Sequence, residues 1–259
     1  MKKPVAALWS LLAVAFILFF VYTLAEPPKI FGYQPKQSLL SRKLLKEREP
    51  EISQTDTVPA PEAVSPVEPD TTPQTILFIG DSMLDGLSPR LAAYCKSSAD
   101  TLYSVVWYSS TSEAWGKTKR LEEYIRRVKP TFIFISMGSN ELMVKDIKDK
   151  RDKYVKEILR QTDGIPYVWI GPPNWREDTG INDLIKENVK KGCYFRSAEM
   201  KFDRRKDGAH PTAASAAVWM DSIVRWIPEH HPSPIAFKPA TEKTARPKRI
   251  FVHSPQEIK

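Results

Sequence analysis

Along this chain, short apolar runs alternate with longer stretches in which apolar side chains return every three or four positions. Thr75-Ile76-Leu77-Phe78-Ile79 is a β-prone run that stops at Gly80. From Leu84 to Cys95 the apolar spacing is helical, with Pro89 tolerable only in a first turn. Leu102 to Tyr108, β-branched and aromatic, predicts a second strand, and Trp115 to Val128 an amphipathic helix ended by Lys129-Pro130. Thr131 to Met137 is nearly all apolar, the mark of a strand covered on both faces. A charged helix over Asp146 to Gln161, a strand over Gly164 to Ile170, a helix over Gly180 to Lys191, a short strand over Cys193 to Ser197 and a closing helix over Thr212 to Ile227 complete the pattern. Strand alternating with helix at this spacing predicts an α/β domain: a parallel sheet between two helical layers, with right-handed crossovers.

Both flanks depart from that pattern. Met1-Lys2-Lys3 precedes an uncharged apolar run from Pro4 to Ala25, about the twenty residues that span a bilayer as a helix. A cleavable signal peptide would have a shorter apolar core, and Thr23-Leu24-Ala25 is a poor small-x-small site, so residues 1–25 read as a signal anchor. Lys2 and Lys3 favour a cytoplasmic N-terminus, while Lys29, Lys36, Arg42, Lys43 and Lys46 argue weakly the other way. Residues 26–74 carry Pro27, Pro28, Pro35, Pro50, Pro59, Pro61, Pro66, Pro69 and Pro73 among Glu, Ser and Thr, which reads as a tether. Residues 230–259, basic and again proline-rich, have little core potential and read as disordered or wrapped on the surface. The domain proper is 75–229.

Three turns inside the domain carry chemistry. Gly80-Asp81-Ser82 delivers a serine just past a strand end, and a serine hydroxyl needs a base and a group to orient it. Asp207-Gly208-Ala209-His210 offers both on one short turn before a helix. Ser136-Met137-Gly138-Ser139-Asn140-Glu141 ends another apolar strand, where the Asn140 amide can donate to an oxyanion beside the Ser82 N–H. Asp81 reads as a structural carboxylate tying loop N–H groups, and Glu141 has no catalytic role in this reading. The loop Gly171-Pro172-Pro173-Asn174-Trp175 lies at the same sheet edge, making Asn174 and Trp175 candidate substrate contacts. Trp175 reads equally as lid packing or as a sugar platform.

In order and spacing, Gly80-Asp81-Ser82, Gly138-Ser139-Asn140-Glu141 and Asp207-Gly208-Ala209-His210 resemble the first, third and fifth sequence blocks of the SGNH (GDSL) hydrolases, over roughly residues 74 to 229. The resemblance implies a flavodoxin-like three-layer α/β/α fold and a triad of Ser82, His210 and Asp207. It also implies an oxyanion hole from the Ser82 N–H, a second-block backbone N–H and the Asn140 side chain. The second block of the family usually carries a glycine, whereas this chain has Tyr108-Ser109-Ser110-Thr111-Ser112-Glu113 with none until Gly116. Ser112 is the expected donor there.

Composition narrows the rest. The 259 residues carry a net charge of +8, spread along the chain apart from Lys201, Arg204, Arg205 and Lys206 just before Asp207. That cluster reads as a solvated loop or as an attraction for an anionic substrate. No recognition motif accompanies the charge, so no nucleic acid partner is expected. No CxxC or His-rich spacing suggests a metal, and no cofactor is called for. Cys95 and Cys193 read as buried free thiols rather than a pair. The resulting expectation is a single-pass inner-membrane protein with a periplasmic serine esterase domain, releasing a small acyl group, an O-acetyl ester, from a cell-envelope carbohydrate. Two alternatives stand beside it: an O-acetyltransferase with a sugar hydroxyl as acceptor and a membrane-bound O-acyltransferase as partner, and a non-catalytic envelope binding module.

Overall fold

The computed structural model describes residues 67–257; the expected membrane span, residues 1–25, and most of the tether lie outside them. No helix among the described residues is long and apolar enough to cross a membrane. The strands are β1 (Thr75–Gly80), β2 (Thr101–Trp107), β3 (Phe132–Ser136), β4 (Tyr167–Ile170), β5 (Tyr194–Phe195) and β6 (Arg249–His253). They form one sheet in the order β5-β4-β3-β1-β2-β6, and every neighbouring pair is parallel. The helices are α1 (Leu84–Ser98), α2 (Ser112–Gly116), α3 (Arg120–Val128), α4 (Ile147–Gln161), α5 (Ile181–Asn188) and α6 (Ala213–His230).

The period of two in the strands separates the layers. Ile76 and Phe78 of β1, with Phe132 and Phe134 of β3, pack against Leu87 and Leu91 of α1 and Trp219 and Ile223 of α6. Leu77, Ile79, Ile133 and Ile135 face the other way, against α2, α3, α4 and α5 through Trp115, Leu121, Val155 and Ile185. All of these side chains are fully buried, and each contributes about 1.5–3 kcal/mol by leaving water. The central strands therefore have no polar face, as parallel strands between two helical layers require.

Three expectations change. The helix foreseen over Trp115 to Val128 is two, α2 and α3, broken at Lys117–Lys119. Thr111 caps α2 early by accepting the Ala114 N–H, so that helix starts and ends sooner. Pro89 lies inside α1 rather than in its first turn. The chain enters α1 through a tightened turn in which the N–H groups of Leu84, Asp85 and Gly86 donate three residues back, to Asp81, Ser82 and Met83. The segment from 230 onward is ordered through Glu257: Ile235 is buried, Phe237 packs on the α1–α6 core, and Arg249–His253 adds an edge strand to β2. Trp107 fastens that strand by donating its indole N–H to the Ser254 carbonyl at 3.1 Å.

In the order β5-β4-β3-β1-β2 the chain reverses direction between β1 and β3, the place beyond the strand ends where open α/β sheets bind ligands. The residues that leave β1 and β3 at that point are Asp81-Ser82 and Met137-Gly138-Ser139-Asn140.

Candidate active site

Ser82 follows β1 in the turn into α1 and is half-buried. Its Oγ lies 2.8 Å from His210 Nε2, and His210 Nδ1 lies 3.0 Å from Asp207 Oδ2. The imidazole is presented by a small hairpin: Arg204 and Pro211 form a bridge, and the Arg205 N–H donates to the His210 carbonyl at 2.8 Å. Asp207 Oδ1 accepts the N–H groups of His210 (2.9 Å) and Ala209 (2.8 Å), which fixes the carboxylate before it reaches the ring. The His210 and Ala209 amides, then the His210 ring, hold the Asp207 carboxyl well below the usual range, at about 2. A depressed carboxyl favours the folded state above its ordinary pKa and loses that contribution as pH falls from about 4 toward 2. The orientation of His210 by Asp207 is therefore expected to survive down to about pH 3, and Asp207→Asn to lower kcat by about 10³–10⁴-fold at pH 7, read by initial rates on an activated ester.

Asp81 joins the two strand-end turns. It is fully buried; Oδ1 accepts the Met83 N–H at 3.0 Å and Oδ2 the Ser139 N–H at 3.2 Å, so one carboxyl spaces Ser82 from Asn140. Burial pushes its pKa up to about 7. Between its ordinary value near 4 and 7 the folded state keeps a proton that the unfolded chain has lost, so stability falls as pH rises, by about 1.4 kcal/mol per unit. Asp81→Asn removes that slope. Relative to the unaltered chain, the variant is expected to gain roughly 2–3 kcal/mol between pH 5 and 7 in urea unfolding; parallel pH dependences would refute this.

Gly138 makes the second turn. Its φ of 117° lies where side-chain-bearing residues are strained, and it swings the chain from β3 into Ser139-Asn140. Asn140 is exposed, and its Nδ2 donates to the Ser110 carbonyl at 2.9 Å, leaving the second amide hydrogen available.

The oxyanion donor expected at Ser112 is corrected. The Ser112 N–H and hydroxyl both go to Glu141, at 2.8 Å to Oε2 and 2.8 Å to Oε1. Of the amides beside it, those of Thr111 and Glu113 donate to no protein group among the described residues. The Thr111 N–H belongs to the trans peptide whose carbonyl accepts from Asn140, so it points the opposite way. The Glu113 N–H, in the first turn of α2, is then the unpartnered amide next to Ser112 that is not turned away with Thr111. In the same loop the left-handed conformation falls on Ser109, at φ 58°. Ser109→Gly is expected to stabilise the chain by up to about 1 kcal/mol in thermal unfolding.

Asn174 and Trp175 are drawn to this edge without bonding to Ser82 or His210. The Trp175 indole N–H donates to the Ser139 carbonyl at 3.0 Å, and its half-buried ring packs on both cores. The Asn174 carbonyl accepts from Arg204 at 3.3 Å and its Oδ1 from Asn182 at 3.0 Å. Arg204 also donates to the Ala209 carbonyl, so it braces the His210 hairpin, while Arg205 and Lys206 stay exposed and form no ion pair among the described residues. Tyr108 donates to Asp85 at 2.6 Å near the start of α1, a contact that sequence spacing does not reveal. Cys95 and Cys193 are separate buried thiols. Among the described residues no His, Cys, Asp and Glu cluster is arranged for a metal ion.

No family model matches the chain, and no curated protein matches it. Among solved structures it is similar to the psychrotrophic esterase EstA from Pseudoalteromonas sp., at 16% identity and a TM-score of 0.44, covering 60% of this chain and 97% of that one. It is similar to a protein described as lipolytic and of the G-D-S-L family from Desulfitobacterium hafniense DCB-2, at 14% identity and a TM-score of 0.45, covering 59% and 98%. A third is the salicylyl-acyltransferase SsfX3 of a tetracycline biosynthetic pathway, at 16% identity and a TM-score of 0.42; 60% of this chain is covered, but only 55% of that one. These are likenesses of outline, and the functional reading stands on side-chain geometry.

Proposed function

We propose that the chain is a serine esterase that removes a small acyl group, an O-acetyl ester, from a cell-envelope carbohydrate, with residues 1–25 anchoring it in the inner membrane and the domain on the periplasmic side. The observation that carries the chemistry is the unbroken relay from Ser82 Oγ through His210 to Asp207, at 2.8 Å and 3.0 Å. In this mechanism Ser82 Oγ attacks the ester carbonyl carbon as its proton passes to His210 Nε2, and Asp207 steadies the imidazolium. The oxyanion is received by the N–H groups of Ser82 and Glu113 and the free amide hydrogen of Asn140. The imidazolium gives its proton to the leaving alcohol. Water, deprotonated by His210, then releases the acid and restores Ser82.

The small acyl group is supported by what lies around Ser82. Among the described residues the exposed large apolar side chains are Val67, Met143, Val218, Ile250 and Val252, and only Met143 belongs to a loop that also carries a site residue. They form no continuous track for a long chain. Trp175, with its ring held in place and Asn174 beside it, suits a sugar ring stacked at the rim.

The test compares acetyl, butyryl and octanoyl 4-nitrophenyl esters, then acetylated envelope glycans, with the full chain. The expected result is a kcat/KM highest for acetate and release of free acetate from the glycan. Preference for octanoate refutes the substrate assignment, and acetate recovered on an added sugar rather than in solution makes the protein a transferase.

A further inference from the structure

The glycine-free loop between Tyr108 and Trp115 is held by charge. Glu141 is fully buried, and burial pushes its pKa up. Besides Ser112 it accepts Arg151 Nε, from α4, at 2.7 Å. The other edge of the same guanidinium, through NH1, reaches Glu113 Oε2 at 2.8 Å. The second Glu113 oxygen is taken by Lys117 at 2.6 Å and lies 3.4 Å from the Tyr154 hydroxyl. Arg151 itself is mostly shielded from solvent, its side chain 16% exposed.

We infer that Arg151 is a positioning residue for the ester chemistry: it clamps the carboxylates on either side of the Ser112–Glu113 peptide and so holds the Glu113 N–H in place for the oxyanion. The inference rests on the nucleophile reading of Ser82. Three features lead to it. The clamp closes on the peptide whose N–H has no protein partner, and Glu141 fixes the residue on the N-terminal side of that peptide by both its N–H and its hydroxyl. Asn140, the residue before Glu141, holds the Ser110 carbonyl of the same loop, so the side-chain donor and the backbone donor are braced against one another. A planar guanidinium can serve two carboxylates along two edges at once, which an ammonium cannot. Removing Arg151 leaves Glu141 with no facing cation, and the loop is then free to shift; a displacement near 1 Å at a reacting centre costs about 10²-fold.

The test measures kcat and KM on 4-nitrophenyl acetate for the full chain, Arg151→Lys, Arg151→Ala and Glu113→Ala. Circular dichroism and thermal unfolding are read on the same samples. Arg151→Lys, which keeps the charge and loses the fork, is expected to lower kcat about 10–100-fold with KM changed less than about threefold and the fold retained. Glu113→Ala, which opens one side of the clamp at a partly exposed position, is expected to lower kcat about 3–10-fold. Guanidinium ion at tens of millimolar, roughly, is expected to restore kcat of Arg151→Ala about tenfold without raising that of the unaltered chain. Folded Arg151→Lys and Glu113→Ala proteins with unaltered kcat would overturn the inference, as would a loss confined to KM or one that follows unfolding and ignores guanidinium. Absence of Ser82-dependent turnover in the unaltered chain would instead overturn the nucleophile reading, and this inference with it.

Discussion

Ser82→Ala lowers kcat on an activated acetyl ester by at least about 10⁴-fold while leaving unfolding near that of the unaltered chain. Among the described residues the side chain hydrogen-bonds to His210 alone, and it sits half-buried at a turn, so its loss removes the nucleophile without opening the core. His210→Ala is expected to cost as much, because Ser82 then has no base, and the double variant no more than either single one. Members of a relay fail together rather than additively. Initial rates on the three variants check this. A double variant whose loss is the product of the single losses would mean that the two residues act in separate steps.

Gly80→Ala has the largest expected effect on stability. Gly80 stands opposite Ser136 in the central β1–β3 pair, and a Cβ built there falls 2.0 Å from the Ser136 carbonyl oxygen and 2.9 Å from its carbonyl carbon. Both obstacles are backbone in the middle of the sheet, and that carbonyl also accepts the Asp81 N–H at 3.0 Å. Relief needs the strands to part where the turn bearing Ser82 begins. The expected cost is about 3 kcal/mol or more, a large fraction of the stability of an ordinary domain. At Gly138 an added Cβ meets only the side chains of Pro172 and Ile181, at 3.2 and 3.3 Å, so Gly138→Ala is expected to cost less, about 1–3 kcal/mol, chiefly from its positive φ. Urea unfolding of both variants orders them; Gly80→Ala within 1 kcal/mol of the unaltered chain would show that the sheet yields there.

Much of the sheet was legible because a strand buried on both faces writes itself as an unbroken apolar run, and β1 and β3 are such runs with turn residues at their ends. The meeting of Ser82, His210 and Asp207 was legible for a similar reason: each stands in a turn at a strand end or before a helix. What escaped depends on partners far apart in the chain. Nothing in Ser112 says that its N–H will be taken by a carboxylate 29 residues on, since Glu141 reads as an ordinary loop acid until α4 brings Arg151 against it. The strand β6 was hidden by the prolines around it, although Ile250-Phe251-Val252 carries the β-prone composition. Pro89 falls beyond the first turn of α1 because the tightened turn ahead of it takes up the start of that helix, a matter of hydrogen-bond register rather than of residue type. The anchor and tether expected at 1–74 lie almost entirely outside the described residues.

The central claim is that His210 makes Ser82 a nucleophile. The most direct measurement treats the full chain with a fluorophosphonate and locates the adduct by peptide mass spectrometry, alongside His210→Ala. The account predicts one phosphonylated residue, Ser82, formed at least about 10²-fold more slowly without His210. An adduct on another residue, or no adduct on Ser82 of the folded, unaltered chain under conditions that label a known serine esterase, would contradict it.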